Sequence, residues 1–471
     1  MNRGSKPKVI YIDCTETYFS GLNTGIQRVV TQITTRSSLL SDETGIPCIP
    51  VVGLGGKYYR LEDLRSKQKS ISENILKLKH RVRSIYYQVR SSLVSTNVPS
   101  NSPLDNGKAV VAPSSGEIGK EYFLIMLEHR IRNFVGQIFA TIQKLAFRVT
   151  IKNMPNVKFG SGNLLLVPDG FFGRYYDLVA LENAHLAKAS VIPLIYDLFP
   201  ITHPELCHEE NVRIYPLIFE KVLPFSIGIM TISKSGMQDL KDYLESIHAE
   251  YMHLPVRYFH LGGDFLGADE RFSRGDGLSN LLPLCLANRR FYLVVGTIEP
   301  RKDHMTILEA FEQLWLEGFD ASLVFVGRIG WKCDDILQKI RNSEHRDTRL
   351  FFLGSIDDET LFSLYTNAEA LVFSSIVEGF GLPLVEAMNM GIPVIVSDIP
   401  VFREVGGEYP FYFSVRSPSN LARVVLEFDR LKSNSKLLPK ISKRWHSWDE
   451  SAVSYIRNAL DIYKISLNCR D

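Results

Sequence analysis

Short apolar runs recur along the chain, each bounded by turn residues and separated from the next by a stretch of helical length. Val9 to Ile12, Leu164 to Val167, Val191 to Tyr196, Gly228 to Ile232, Phe291 to Val295, Leu323 to Val326, Leu350 to Leu353, Ala370 to Phe373 and Pro393 to Val396 are rich in β-branched, aliphatic and aromatic residues. Continuous rather than alternating apolar runs belong to strands buried on both faces, so the pattern predicts parallel sheets covered by helices. The fold class is therefore α/β, built of βα units.

The rhythm breaks twice. From His260 to Asn280, five glycines stand among Asp264, Asp269 and Asp276, the composition of an inter-domain linker. Residues 57–153 also fail to alternate and read as an insertion in the first unit. Between Lys57 and Arg90 there are ten Lys or Arg against three acids, and Ser95 to Ser115 is a loop rich in Ser, Pro and Asn. Glu121 to Lys152 then reads as a helix. Its residues Ile131, Val135, Ile138, Ile142, Leu145 and Val149 recur at spacings of three and four, which confines them to a stripe about 80° wide. Arg130, Arg132 and Arg148 flank that stripe, where their stems can cover apolar surface. Such a helix suits packing on the sheet or lying in an anionic membrane surface, and both remain open.

Composition narrows the function classes. A chain of 471 residues exceeds the roughly 250–300 at which a single core stops growing, so two domains are expected. Lys+Arg 54 against Asp+Glu 52 leaves +2, which gives no global reason to expect nucleic acid. The six cysteines form no CxxC or zinc-like spacing, as expected for reduced thiols in the cytoplasm. The apolar run after Lys8 stops at Asp13, which fits a first strand rather than a signal peptide. A peripheral position at the inner face of the membrane is the expectation if the insertion docks there.

The chemistry concentrates between Ser374 and Asp398, SSIVEGFGLPLVEAMNMGIPVIVSD. A strand ending at Phe373 enters a loop with Glu378, Gly379, Phe380, Gly381 and Pro383, followed by a helix carrying Glu386. Carboxylates accept hydrogen bonds from vicinal hydroxyls, and the exposed amides of a helix start bind anions. A ribose, a diphosphate and a sugar would satisfy the two carboxylates and the anion site between them.

This Glu-x7-Glu element in its EGFGLPLVEAM context resembles the signature of family 4 glycosyltransferases, retaining enzymes of the GT-B fold. Further matches follow the family's order: GLNTGIQRVV after the first strand, VIPLIYDLFPITHPE, TISKSGMQDL, FHLGGD, VVGTIEPRKDHMTILEAF, VGRIGW, FFLGSIDDETLFSLY and PVIVSDIPVFREVGGE. The resemblance covers nearly all of 160–467 and about 8–35. It implies two Rossmann-like doubly wound domains facing each other across a cleft, 1–270 with the helical insertion 57–153, and 271–440. A C-terminal helix within 441–471 would cross back to the first domain.

By the same resemblance, Arg301 and Lys302 bind the donor diphosphate, Glu378 and Gly379, Phe380 and Gly381 the donor sugar, and Glu386 the ribose. Gly25, with Gly21 and Thr24, would close over the donor phosphate or sugar, and the nucleobase would lie near Gly354 to Ile356. Catalytic roles fall to Glu378, Arg301 and Lys302, with no metal expected because no DxD motif is present. Asp357, Asp358 and Glu359 read as a helix cap instead. Many relatives carry His where this chain has Tyr196, which leaves the role of the Tyr196–Asp197 pair open.

The activity implied is transfer of a sugar from a nucleotide-sugar donor, GDP-mannose or a related GDP-sugar favoured, to a glycan or lipid-linked acceptor in surface polysaccharide synthesis. Two alternatives stand beside it: a nucleotide-sugar epimerase of the same fold, and a catalytically silent subunit of a membrane assembly.

Overall fold

The computed structural model describes residues 6–20, 24–63, 154–173, 176–247, 249–264, 283–433 and 445–468. The helix expected over 121–152, Gly21 and the linker beyond Asp264 lie outside them.

The described residues form two sheets. The first has the order β3-β2-β1-β4-β5-β6-β7, with β1 Val9–Asp13, β2 Cys48–Leu54, β3 Lys57–Arg60, β4 Asn163–Val167, β5 Ser190–Ile195, β6 Ile229–Thr231 and β7 Val256–Tyr258. All its pairs are parallel except β2 with β3. The second is parallel throughout, in the order β10-β9-β8-β11-β12-β13. It contains β8 Phe291–Val295, β9 Ser322–Val326, β10 Leu350–Phe352, β11 Ala370–Phe373, β12 Val394–Ser397 and β13 Phe411–Phe413. Each sheet is doubly wound. In each, chain direction across the sheet reverses between two central strands, β1 and β4 in one, β8 and β11 in the other, and a crevice opens at their carboxyl ends. This is the two-domain arrangement that the resemblance to GT-B enzymes implies.

The strands expected from apolar runs are present, most within one residue at each end. One expectation needs correction. The basic segment taken to begin at Lys57 includes a strand of the first sheet, because Gly55 and Gly56 both have positive φ (63° and 77°) and turn the chain into a two-residue hairpin. Tyr58 and Tyr59 are buried there, and the Tyr58 hydroxyl donates to Asp13 Oδ2 at 2.7 Å.

The last helix, Trp448–Asn468, joins the two halves. Its buried residues Trp448, Ala452, Tyr455, Ile456, Ala459 and Ile462 recur at helical spacing and share one apolar cluster with residues of both sheets. It packs on β7 and on the helices Gly25–Thr35 and Ser37–Thr44 of the first domain. At its start the chain passes so close to the 259–264 segment that only glycine fits. A Cβ on Gly262 would lie 2.5 Å from the Trp448 nitrogen, and one on Gly263 2.9 Å from the Val385 carbonyl oxygen.

Gly262→Ala should therefore lower stability by about 1–3 kcal/mol through overpacking against backbone. Gly160→Ala, where a Cβ meets nothing within 4 Å, should stay within about 0.5 kcal/mol of the parent. Urea unfolding followed by circular dichroism checks both.

Candidate functional site

The crevice of the second domain is built by the loops that leave β8 and β11, and polar contacts stitch them together. Ser374 Oγ donates to the carbonyls of Lys302 (2.6 Å) and Asp303 (2.9 Å), and the Ile376 amide donates to the Arg301 carbonyl at 2.8 Å. These bonds hold the short 3-10 turn Pro300–Lys302 beside the Glu378 loop.

Four charges meet there. Arg301 Nη1 lies 2.8 Å from Glu378 Oε1 and its Nε 2.6 Å from Glu299 Oε1. The Lys302 ammonium also bonds Glu378 and sits 4.4 Å from the centre of the Phe373 ring. Ser375 Oγ donates to the same Glu378 oxygen at 2.8 Å. Burial alone would raise the Glu378 carboxyl, but Arg301, Lys302 and Ser375 outweigh it and hold the group down at about 2. Glu378 is therefore a permanent anion that can accept from sugar hydroxyls, and the two cations stand ready beside it for a more highly charged anion.

Glu386 occupies a separate cluster. It lies on the helix Leu382–Asn389 with its side chain only 3% exposed. Arg28, from the helix Gly25–Thr35 of the other domain, bonds Oε1, and the Tyr365 hydroxyl donates to Oε2 at 3.1 Å. Burial raises the Glu386 carboxyl above its ordinary value, against the pull of Arg28 and Tyr365.

Contacts within the protein require glycine at Gly379 and Gly381. A Cβ on Gly379 would stand 2.6 Å from the Tyr196 carbonyl oxygen, so this glycine admits the end of β5 across the cleft. Gly381 has φ +103°, and a Cβ there would press on the Phe402 ring at 2.8 Å. The Phe380 ring is buried beside His260 and Trp445, near the crossover of the last helix. Gly25 begins its helix, and a Cβ placed on it would meet the Leu382 side chain of the other domain at 4.0 Å.

Tyr196 is structural at its side chain: the buried hydroxyl donates to the Pro168 carbonyl at 2.7 Å. Asp197 turns toward the cleft. Burial, opposed by Arg301 and the Phe199 amide, pushes its carboxyl up to about 6. Asp357 caps the helix Asp358–Asn367 by accepting from the Thr360 amide at 2.7 Å, as the sequence indicated.

Contacts around the cleft bring the domains face to face. Trp331 Nε1 donates to the Leu206 carbonyl at 3.1 Å and Lys332 to the Glu205 carbonyl at 3.2 Å. Glu404 caps the helix Lys234–Ile247 of the first domain, accepting from the Lys234 amide (2.6 Å) and the Ser235 amide and hydroxyl (both 2.8 Å).

Sequence reasoning missed Glu299, Ser375, Tyr365 and Arg28. For Arg28 a signal existed. A cation in the first turns of a helix faces the positive end of the dipole, which is unfavourable unless an anion elsewhere holds it.

Residues 286–445 match the protein family described as glycosyl transferases group 1. Over 310 residues the chain is 34% identical to the serotype-specific mannosyltransferase WbdA of Escherichia coli, an alignment that takes in 64% of this chain and 37% of WbdA. Over 226 residues it is 38% identical to O-antigen chain mannosyltransferase B of Escherichia coli, covering 46% of this chain and 55% of that protein. The chain thus spans less than two thirds of the length of either relative. Among solved structures, Anabaena HepE in complex with UDP aligns over 98% of both chains at 13% identity, with a TM-score of 0.46. The segment that supplies Arg301, Lys302, Glu378 and Glu386 is thus the part of the chain that is similar to the glycosyl transferases group 1 family.

Proposed function

We propose that the protein is a retaining glycosyltransferase that moves a sugar from a nucleotide diphosphate donor to a hydroxyl of a glycan or lipid-linked acceptor in surface polysaccharide synthesis. GDP-mannose or a related GDP-sugar is the favoured donor. The observation that carries this reading is the contact of the partly buried Arg301 and Lys302 with Glu378 at the carboxyl ends of β8 and β11, inside the matched family segment. The names of the relatives, a serotype-specific mannosyltransferase and an O-antigen chain mannosyltransferase, support mannose as the sugar and a surface glycan as its destination.

In the proposed reaction the bond from the anomeric carbon to the diphosphate oxygen breaks, and negative charge grows on the departing diphosphate. Arg301 and Lys302 are placed to stabilise that charge before it develops, which is where preorganised cations act most strongly. In this reading they do the work a divalent metal does elsewhere. The acceptor oxygen attacks from the leaving-group face, and its proton passes to the diphosphate oxygen. Glu378 accepts from hydroxyls of the donor sugar, with the amides of Gly379, Phe380 and Gly381 alongside. Glu386 accepts from the ribose, and the helix start at Gly25 closes the opposite wall.

Thermal shift with GDP, UDP, ADP and dTDP tests nucleotide binding and the base together. Ligand at 100 times its Kd stabilises by about 2.7 kcal/mol, so GDP should raise the unfolding temperature most. No shift with any of the four would overturn the proposal. Arg301→Ala should lower kcat for mannose transfer by on the order of 10²–10³, read from product formed with GDP-mannose.

The ionisation of Glu378 gives a further check. Its carboxyl is depressed from 4.5 to about 2, so its contribution to stability is fully present above 4.5 and is lost as the pH falls through about 2. The stability difference between the parent and Glu378→Gln should therefore shrink over that window. A constant difference from pH 5 down to the acid transition would show that Glu378 is not held as an anion.

A further inference from the structure

Arg28 lies outside the roles assigned above, yet it is the cation that reaches Glu386, from 358 residues away in sequence. It stands one turn into the helix Gly25–Thr35, its amide closing the first helical bond to the Thr24 carbonyl. Its guanidinium side chain is 24% exposed, so it borders the cleft, while the Glu386 side chain behind it is almost fully buried.

Every other contact of Glu386 described here comes from its own domain. Tyr365, on the helix Asp358–Asn367, offers one hydroxyl. A buried carboxylate with a single neutral donor would be poorly stabilised as an anion and free to rotate. A guanidinium on one oxygen holds the charge and fixes the plane of the carboxylate, leaving lone pairs on both oxygens for further donors.

We infer that Arg28 is a positioning residue for ribose recognition: it reaches across the domain boundary to orient Glu386, so the ribose subsite is complete only when the first domain is seated on the second. This rests on the reading of Glu386 as the ribose acceptor. The seating is built into the same region. A Cβ placed on Gly25 would meet Leu382 at the start of the Glu386 helix, and Asn389 at its other end accepts from the Trp445 amide at 3.0 Å, where the chain crosses back to the first domain. The helix that carries Glu386 thus lies beside the first domain at its start and is bonded to the crossover segment at its end.

The test compares binding of GDP with 2′,3′-dideoxy-GDP, and of UDP with 2′,3′-dideoxy-UDP, by calorimetry on the full chain. The dideoxy compounds keep base and diphosphate and lack both vicinal hydroxyls. A hydrogen bond to a charged group corresponds to roughly 10- to 100-fold in affinity, so the parent should prefer at least one ribonucleotide over its dideoxy partner by at least about tenfold. Arg28→Gln should cut that preference to about two- to threefold, with Arg28→Lys in between. In the Arg28→Gln/Glu386→Gln double variant the two losses should be far from additive.

If the parent binds neither ribonucleotide, or binds ribo and dideoxy forms equally, both this inference and the assignment of Glu386 fall. If the parent discriminates and Arg28→Gln discriminates just as well, the inference falls alone and the ribose assignment stands. An equal loss of affinity for both forms would make Arg28 a phosphate contact or a packing residue and also overturns it. Arg28→Lys keeps the charge and carries the comparison if the glutamine variant fails to fold.

Discussion

Taking a carboxylate out of water is costly unless a cation and hydrogen-bond donors replace the solvent, and this protein does it twice within eight residues of sequence. Glu378 finds its counter-ions locally, in Arg301 and Lys302 on the loop that leaves the neighbouring strand of the same sheet. Glu386 finds its guanidinium in the other domain. The ionisation of the second carboxylate and the relative placement of the domains are therefore one physical problem. Removing one member of a buried pair leaves an uncompensated charge, a cost of about 3–5 kcal/mol, which makes the docked arrangement of the domains self-consistent with the charges that line it.

Backbone proximity sets how near the domains come. Gly379 against the Tyr196 carbonyl, Gly262 against Trp448 and Gly263 against Val385 are contacts that a methyl group would block. Between them runs the last helix, whose buried face belongs to the same apolar cluster as residues from both sheets. Apolar burial supplies the attraction, the glycines set the distance of closest approach, and the polar pairs at Glu386 and Glu404 select one orientation out of those the apolar surfaces would accept.

Strands buried on both faces announce themselves, because a parallel strand covered by helices must be apolar at every position. That is why β8 and β11 were legible to the residue. The strands that escaped notice share short length or atypical residues. The segments β7 and β13 have three residues each, and β2 contains Pro50 and Gly53 in CIPVVGL. The hairpin to β3 was written in Gly55-Gly56, but the charges of Lys57 and Arg60 drew it into the basic segment instead. At the site, Glu378, Arg301 and Lys302 were legible because their neighbours in sequence form a strand, a glycine-bearing loop and a helix start. Ser375 and Tyr365 were not, because a single serine or tyrosine carries no pattern, and the position of Arg28 near a helix start pointed to an anion without saying which one.

Local sequence determined the α/β class, the division into two units and the presence of paired carboxylates and adjacent cations near strand ends, since these follow from periodicity and chain-local geometry. Tertiary structure alone decided which cation serves which carboxylate, which glycines face backbone and which face rings, and that Phe380 belongs to the domain crossover. Those outcomes depend on groups as far apart as Arg28 and Glu386. The free energy that pairs them comes from burial at a surface that exists only after both sheets have formed.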